Sequence, residues 1–389
     1  MFFWDIGFLR LFYSKIGDMD NIGGQLGQKA KQKLISFVGE MDKRLKEYWK
    51  VERSKNFGFS QKQKKMVSEM LTHACEHNLR SSKRIRSALV YYGYLLGQKL
   101  KTEKTQKIEK TNEIWKVCEA VELIHTSLLM HDDFMDRDIV RRGKSTTHEF
   151  FAKGDSHYGD CMAVCVGDAV LCMGYERFLE ANFDRERQIK ALKQLMRGIT
   201  NTAFGQAFDN SLIKLGKFNS QDVLDLHHAK TALYTYQTPL LSGAILGGIS
   251  EDVVEILKSY SKYGGIAFQL QDDILGVFGD EQKTGKSSNS DLLQGKVTMM
   301  YIKAMELANN TQRQKIDLVW GREKASLDQI EEVKKIFRDT GSYEYSVHEA
   351  KKLASMAADE ARKLREFDLN TESIDFLEGI ATYMVEREV

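Results

Sequence analysis

Apolar residues recur at helical spacing along most of the chain, and strand-like alternation is rare. In residues 26–52 the apolar positions are three or four residues apart, which predicts one amphipathic helix. The same periodicity predicts further helices over residues 60–97, 113–138, 160–182, 186–215, 220–246, 251–278 and 296–389, with breaks in the last near Gly341 and Asp368. The pattern therefore predicts an all-α protein built as a single large helical bundle.

Two polar stretches interrupt this helical pattern. Residues 98–112 are rich in lysine, and residues 281–295 are rich in Gly, Ser and Asn, so both are predicted to be loops. Proline, the main helix breaker, occurs only at Pro239. We expect one domain over residues 26–389. Residues 1–25 form an N-terminal extension, interpreted as a packing helix, as translated upstream sequence or as an interfacial anchor.

Composition and charge argue against several classes of function. The formal net charge is +2 and the basic residues are scattered, so nothing favours a nucleic-acid partner. No run of 18 apolar residues is present, so no transmembrane helix is predicted. The five cysteines lack zinc-binding spacing, and Cys161, Cys165 and Cys172 are expected in the core of a cytoplasmic protein.

Two clusters of aspartates within apolar helical runs are the strongest chemical signal. They are Asp132-Asp133-Phe134-Met135-Asp136 and Asp272-Asp273-Ile274-Leu275-Gly276. Buried acidic residues need a partner or a metal ion. Asp132 and Asp136 share one helix face, and Mg²⁺ binds through one or two carboxylates together with substrate phosphates. The clusters therefore predict two helices that face one central cavity and hold a diphosphate through Mg²⁺.

Basic residues lie close to the first cluster in the sequence. Arg141 and Arg142 follow it, and arginines bind diphosphates through forked hydrogen bonds. His125 lies two helical turns before Asp132, where a core histidine and a phosphate ligand are both compatible with the geometry. Lys83 and Arg86 either form part of a solvated basic turn or bind a second anion.

In this order, the motifs resemble those of the trans-isoprenyl diphosphate synthases, the polyprenyl synthetase family, and particularly its archaeal-type geranylgeranyl diphosphate synthases. The resemblance extends from about residue 30 to residue 389. It is carried by Lys83 to Arg86, Asp132 to Arg142, Gly167-Asp168, Gly205-Gln206 with Asp209, Lys230-Thr231, Phe268-Gln269 with Asp272-Asp273, and Gly285-Lys286 with Asp291, Lys296 and Thr298. Together, these ordered motifs are far more specific than any one of them.

The resemblance implies an isoprenoid-synthase fold, a homodimer and a head-to-tail condensation. Isopentenyl diphosphate would be added to dimethylallyl, geranyl or farnesyl diphosphate. The implied metal ligands for Mg²⁺ are Asp132, Asp136 and Asp272, with Asp133 as a further catalytic residue. The implied contacts of isopentenyl diphosphate are Lys83, Arg86, His125 and Arg142. The implied contacts of the allylic substrate are Arg141, Lys230, Lys286 and Lys296, while Thr231, Gln269 and the Lys230 carbonyl would stabilise the carbocation.

Two departures from the family pattern affect this interpretation. Ser81-Ser82 and Ser87 replace the Gly-Gly and Pro that often flank the KxxR motif, which predicts a less tightly turned loop. Gly276 takes the last place of the second aspartate motif, which often reads DDxxD. The archaeal-type enzymes share this feature, so it is not interpreted as inactivity.

Product length is predicted from the helix that carries the first cluster. The prenyl tail would grow past Ser127 and Leu128, where a large aromatic side chain would close the tunnel and serine leaves it open. We expect geranylgeranyl diphosphate, with a longer chain as the alternative. The chain could also be a class I terpene cyclase, whose second metal triad is missing, or a non-catalytic subunit, which would be expected to lose metal ligands.

Overall fold

The computed structural model describes residues 6–55, 58–98, 104–215, 218–279, 289–322 and 324–386. The helices of the first half are α1 (Ile6–Glu52), α2 (Gln61–Asn78), α3 (Ile85–Leu96), α4 (Lys104–Met135), α5 (Thr147–Ala152), α6 (Ser156–Leu179) and α7 (Arg185–Leu215). Those of the second half are α8 (Ser220–Leu226), α9 (Thr238–Gly247), α10 (Glu251–Phe278), α11 (Ser290–Leu293), α12 (Met299–Leu307), α13 (Asn310–Asp317), α14 (Leu327–Asp339), α15 (Ser342–Lys363) and α16 (Thr371–Glu386). The prediction of an all-α fold is confirmed.

One small hairpin interrupts the helices after the first aspartate cluster. Strand β1 (Val140–Arg141) pairs antiparallel with strand β2 (Lys144–Ser145). Gly143 adopts a positive φ of 74° at the turn, a conformation that glycine reaches without steric cost. The hairpin brings Arg141 back toward the helix that precedes it.

The start of α4 differs from the prediction. Residues 98–112 were predicted to be a loop, but α4 already begins at Lys104. The segment lacks apolar periodicity because it is polar all round, yet lysine, glutamine and glutamate are good helix formers. The boundary predicted between residues 25 and 26 falls within α1 and stays a prediction.

A π-helix divides the helix predicted over residues 220–246. It spans His227–Gln237 and connects α8 to α9, whose first turn contains Pro239. Proline is tolerated in a first turn because its missing N–H has no intrahelical partner there. π-Helical turns are rare and are often found at functional sites. This one carries Lys230 and Thr231.

Helix α10 is central to the bundle and packs against α15 and the π-helix. A Cβ atom built on Gly265 would lie 2.4 Å from Ala232 Cα, so glycine allows the close approach of α10 to the π-helix. Helix α4 packs along α6, and α3 along α9. The long buried helices thereby hold the chemically active segments in fixed relative positions.

The structure also corrects the expectation for the cysteines. Cys118 is buried, but Cys161, Cys165 and Cys172 are exposed on α6. Helical spacing in an apolar run does not show which face is covered, and α6 turns its other face to α4. Within the residues that the structure describes, no helix is long and apolar enough to cross a membrane.

Candidate active site

The first aspartate cluster lies at the end of α4 and is closed on one side by the hairpin. Arg141 is buried and donates from Nε to Asp133 Oδ1. Its Nη2 lies 3.6 Å from Asp132 Oδ2 and 3.7 Å from Asp138 Oδ2. One arginine thus serves three carboxylates, and the Asp132 side chain keeps 28% of its surface exposed.

Asp133 points into the protein and not toward solvent. It is fully buried, and its Oδ2 lies 3.7 Å from Nε2 of buried His77 on α2. Burial lowers the pKa of His77, against the raising effect of Asp133. The Asp133 carboxylate therefore faces a histidine and an arginine, and its contact with Arg141 orients that guanidinium.

The end of α2 holds the hairpin in place. Arg80 donates to the Arg141 carbonyl at 3.0 Å and to the Ser145 carbonyl at 2.8 Å. Its guanidinium also binds Glu76, at 2.8 Å. Neither His77 nor Arg80 is predicted from the sequence, because a histidine and an arginine outside any motif give no signal of their own.

The surroundings of Asp136 disfavour the charged form of its carboxyl group. Burial, together with the charge of Asp132, raises the pKa of Asp136 to about 6. Gln206, from α7, donates to Asp136 Oδ1 at 3.1 Å. Two carboxylates on one helix face that repel each other would be relieved by a bound cation.

Lys230 faces the same carboxylates from the π-helix. Its Nζ lies 2.6 Å from Asp209 Oδ2 and 3.9 Å from Asp132 Oδ1. Burial lowers the pKa of Lys230, but the two aspartates outweigh it and the pKa is raised. A Cβ built on Gly205 would meet Lys230 Cα at 2.9 Å, so this glycine lets α7 approach closely enough to form the pair.

The second cluster lies on α10 opposite the π-helix. Asp272 is half-buried, whereas Asp273 is buried and accepts from Gln269 Nε2 at 2.8 Å. Thr231 Oγ1 donates to Gln269 Oε1 at 2.7 Å, and His227 Nε2 lies 3.1 Å from Asp273 Oδ2. The threonine, glutamine and aspartate form one connected set of hydrogen bonds.

The segment around α11 reaches toward both clusters. Lys296 Nζ lies 2.9 Å from Asp291 Oδ1, and Gln294 donates to Asp138 Oδ1 at 2.8 Å. Asp291 raises the pKa of Lys296, and the charges of Asp136 and Asp132 add to the effect. The predicted contact Lys286 lies outside the described residues.

A second group of basic residues lies deeper between α3, α4 and the π-helix. Arg86 Nη1 lies 2.9 Å from His125 Nε2, and its Nη2 donates to Thr235 Oγ1 at 2.7 Å. Its guanidinium also lies 5.0 Å from the ring centre of Tyr234. Burial and the charge of Arg86 hold the pKa of His125 well below its usual value, which favours the neutral imidazole. Tyr234 and Thr235 were missed, because only the π-helix turns them toward Arg86.

The other two residues predicted for this group are placed at its edge. Lys83 is exposed in the turn before α3, and Arg142 is half-buried in the hairpin. Burial, with the charges of Arg84 and Arg141, lowers the pKa of Arg142 to about 10. A bound anion would relieve this crowding of positive charge.

Arg84, in the middle of the basic turn, has a different role from its neighbours. It is buried and binds Glu122 Oε2 at 2.7 Å, Asp42 Oδ1 at 3.0 Å and the Asn78 carbonyl at 2.7 Å. Its φ of 48° is left-handed and marks the tight turn into α3. The backbone amide of Arg84 also donates to Ser82 Oγ at 3.3 Å. These contacts fix the loop in which serines replace the glycines.

Charges from the two aspartate clusters act on the basic residues around them. Burial lowers the pKa of Arg86, while the charges of Asp272 and Asp132 both raise it. Lys230 and Lys296 both respond to Asp132 and Asp136. Arg86 thus responds to aspartates of both clusters, while the prediction that two helices present these aspartates to one diphosphate stays a prediction.

No ready-made metal centre is formed by the protein alone among the side chains that the structure describes. No three His, Cys, Asp or Glu side chains come together as a cluster that could hold an ion. Mg²⁺ commonly keeps several waters and takes one or two carboxylates when a phosphate supplies the other ligands. The oxygen donors and the electrostatic repulsion at Asp136 are suited to such an ion.

These features define an all-α enzyme site that combines acidic helices with two groups of cations. The family model for polyprenyl synthetase matches residues 68–337, well over half of the chain. A short chain isoprenyl diphosphate synthase of Methanothermobacter thermautotrophicus is 32% identical over 272 residues, which cover 70% of this chain and 79% of that protein. The chain therefore belongs to the polyprenyl synthetase family and is a prenyltransferase.

Further relatives agree with this assignment. A geranylgeranyl diphosphate synthase of Methanosarcina mazei is 31% identical over 269 residues, which cover 69% of this chain and 78% of that protein. The crystal structure of a geranylgeranyl pyrophosphate synthase from Corynebacterium glutamicum, complexed with isoprenyl diphosphate and magnesium, has a TM-score of 0.80. It is 25% identical and covers 90% of this chain and 98% of that one.

Proposed function

We propose that the protein elongates an allylic diphosphate with isopentenyl diphosphate, in the presence of Mg²⁺, to give geranylgeranyl diphosphate. The observation that carries this proposal is that two sets of basic side chains have different partners: Arg86 contacts His125, whereas Arg141 and Lys230 lie near Asp132. One group contains Arg86, His125 and Arg142, and the other contains Arg141, Lys230 and Lys296. Two separate anion sites suit a reaction between two diphosphates, and a class I terpene cyclase has no use for the first.

Asp132, Asp136 and Asp272 are the proposed metal ligands. Bound Mg²⁺ would neutralise the diphosphate and make it a better leaving group. Asp132 and Asp272 are the exposed members of their pairs, whereas Asp133 and Asp273 are turned to protein partners. The magnesium-bound relative of known structure supports a divalent ion in this class of site.

The allylic substrate is proposed to lie with its diphosphate near Arg141, Lys230 and Lys296. When the allylic C–O bond breaks, negative charge develops on the diphosphate, and fixed cations stabilise it without reorganisation. Asp133 and Asp209 keep two of these cations oriented. Lys286 is proposed as a further contact.

Dipoles near the reacting carbon atoms are proposed to stabilise the carbocation. Thr231 Oγ1 already donates its proton to Gln269 Oε1, so its lone pairs are the part of the hydroxyl left to stabilise a cation. The Lys230 carbonyl belongs to the π-helix, where the widened turn loosens the usual helical hydrogen bonds. None of these groups is nucleophilic enough to trap the cation covalently at neutral pH.

The second substrate, isopentenyl diphosphate, is proposed to bind Lys83, Arg86, His125 and Arg142. Nε of Arg86 and Nδ1 of His125 are buried and lack a hydrogen-bond partner among the described residues. Buried donors without partners cost about 1–3 kcal/mol each, and a diphosphate oxygen would satisfy them. Neutral His125 can donate one hydrogen bond without adding charge next to Arg86.

The test is incubation of the purified protein with Mg²⁺, isopentenyl diphosphate and each of three allylic starters, followed by product chromatography. We expect elongation of dimethylallyl, geranyl or farnesyl diphosphate to a twenty-carbon product. Failure to elongate all three starters would refute the proposed reaction. Longer products would refute only the proposed chain length.

The proposed chain length depends on the α4 surface before Asp132. Ser127 is fully buried and Leu128 is half-buried against the main apolar core. We expect Ser127→Phe to shorten the product, because the aromatic ring would fill the space along α4. Ser127→Thr is the matched control and should leave the product unchanged. Unchanged chain length in Ser127→Phe would mean that the tail does not pass this residue.

We also propose that the protein forms a homodimer through the outer faces of α6 and α7. Large apolar side chains are exposed there, including Leu179 at 59%, Met196 at 48% and Phe204 at 68%. Exposed apolar side chains that together form a contiguous patch usually mark a contact with another protein. Light scattering should give the mass of a dimer, and Phe204→Lys should shift it toward a monomer, whereas Leu327→Lys, on α14, should not. A wild-type monomer would refute this proposal.

A further inference from the structure

Gly276 leaves room for a carboxylate from another part of the chain. It lies one helical turn after Asp272 on α10, so both residues share one helix face. A Cβ built on Gly276 would lie 2.1 Å from Asp291 Oδ2 and 2.8 Å from Asp291 Cγ. The Asp291 carboxylate therefore fills the volume that any side chain at position 276 would need.

The Asp291 carboxylate is fixed in this position by Lys296. The Asp291 side chain is 13% exposed, and Lys296 Nζ lies 2.9 Å from its Oδ1. The Lys296 amide also donates to the Asp291 carbonyl at 2.9 Å. Two contacts between the same residues close a short loop, so the carboxylate and the ammonium group cannot move independently.

The segment that carries the lysine is tied to the end of the first cluster. The charges of Asp136 and Asp132 act on Lys296 in addition to that of Asp291. Gln294, two residues earlier, donates to Asp138 Oδ1 at 2.8 Å and ties the same loop to the end of α4. The segment that contains Lys296 is therefore fixed at two points. Gln294 binds Asp138 beside the first cluster, and Asp291 packs over Gly276 on α10.

We propose that Asp291 replaces the missing last carboxylate of the second aspartate motif. In this role Asp291 is a positioning residue that lies over Gly276, one helical turn from Asp272, and holds Lys296 at the allylic diphosphate. This inference rests on the proposed function for the identity of that diphosphate. Gly276 and Asp291 then form a matched pair, in which the small residue is required by the carboxylate that covers it.

A double-mutant cycle tests the pair directly. Asp291→Ala removes the carboxylate, and Gly276→Asp forces two carboxylates into one volume. We expect each single variant to raise the KM for the allylic diphosphate about tenfold while the KM for isopentenyl diphosphate changes less than twofold. The combination Gly276→Asp/Asp291→Ala restores one carboxylate beside Lys296 and should recover the KM to within about threefold of wild type.

Gly276→Ala in the Asp291→Ala background is the matched control. It adds a side chain of similar placement without a charge, so it should not restore the KM. Additive losses in the Gly276→Asp/Asp291→Ala variant would overturn the proposal. An equal rise of both KM values in Asp291→Ala, with a lower Tm, would also overturn it and leave only a structural ion pair.

Binding of inorganic pyrophosphate with Mg²⁺, measured by calorimetry, gives a readout that does not depend on turnover. The single variants should weaken binding about tenfold, and the double variant should restore it. Equal binding in wild type and Asp291→Ala would overturn the proposal. If wild-type protein binds pyrophosphate but elongates no starter, the proposed reaction fails while the cycle still decides the role of Asp291.

Discussion

The two aspartate clusters are built in different ways. At the first, Asp132 lies in the last turn of α4 and Asp136 directly follows that helix, and the compensating Arg141 comes within a few residues in the adjoining hairpin. At the second, α10 supplies Asp272, while the carboxylate above Gly276 comes from Asp291 in a separate segment. The same arrangement of two acidic groups on one helix face can thus arise locally or through tertiary contacts.

The clusters nevertheless share one principle. In each Asp-Asp pair the first residue is partly exposed and the second is turned into the protein. Asp133 receives a hydrogen bond from Arg141, and Asp273 receives one from Gln269. A histidine lies near each inner aspartate, but the hydrogen-bond donors differ: Asp133 accepts from a permanent cation and Asp273 from a neutral amide. This difference predicts unequal consequences when each inner charge is removed.

The largest expected effect comes from the outer aspartates. Asp132→Asn and Asp272→Asn should each lower kcat about a thousandfold, because metal-ion stabilisation of the leaving charge contributes several kcal/mol. Steady-state assays with circular dichroism as a check on folding would measure this. Asp252→Asn, in the exposed first turn of the same α10, is the control and should be near wild type. An unchanged rate in either outer variant would mean that the two clusters are not both metal sites.

Neutralising the inner aspartate should lower the stability of the protein by a different amount at each cluster. Asp133→Asn leaves Arg141 buried with less compensation, so we expect the free energy of unfolding to fall by about 3 kcal/mol. Asp273→Asn should cost about 1 kcal/mol, because it weakens a single hydrogen bond from the neutral Gln269 amide. Asp160→Asn, which breaks an exposed pair with Arg137, should change stability by less than about 1 kcal/mol. Denaturant unfolding measures all three, and equal losses at both inner aspartates would contradict the comparison.

Acid should destabilise the region beside the first cluster. Burial lowers the pKa of His73 on α2 to about 4. The unfolded chain takes up this proton near pH 6.5 and the folded protein does not, so stability falls as the pH drops from 6.5 to 4. Between pH 7 and pH 5 the free energy of unfolding should fall by about 2 kcal/mol through this group.

The histidine contribution can be isolated with a variant. His73→Gln should show a shallower loss of stability between pH 7 and pH 5, measured by chemical denaturation at each pH. His348→Gln, on α15, serves as the control and should keep the wild-type slope. An identical slope in His73→Gln would show that His73 is protonated equally easily in the folded and unfolded protein.

The smallest expected effect is a change in the KM for one substrate and not for the other. Thr235→Val removes the acceptor for Arg86 Nη2, and the KM for isopentenyl diphosphate should rise about fivefold, or about 1 kcal/mol. The KM for the allylic substrate should stay unchanged, as should both values in Thr200→Val on α7. A rise of both KM values in Thr235→Val would mean that Arg86 does not serve one substrate alone.

Several predictions made from the sequence alone were wrong or incomplete for a common physical reason. The prediction of a loop over residues 98–112 was wrong from Lys104 onward, because a polar helix has no apolar stripe that would reveal it. The cysteines of α6 were expected in the core, because periodicity reveals a face but not what covers it. Asp133 and Asp132 are neighbours in the sequence, yet only packing against α2 and the hairpin determines that one is buried and the other exposed.

The sequence by itself determined the helical class, most helix positions and the acidic and basic motifs, because period and spacing are local properties of a chain. It also determined that Asp132 and Asp136 share a face. Only the tertiary structure decided that the π-helix turns Thr235 toward Arg86, that Arg84 anchors a loop and that Asp291 covers Gly276. These contacts join residues far apart in sequence, and the close approach of whole helices, which no local pattern encodes, brings them together.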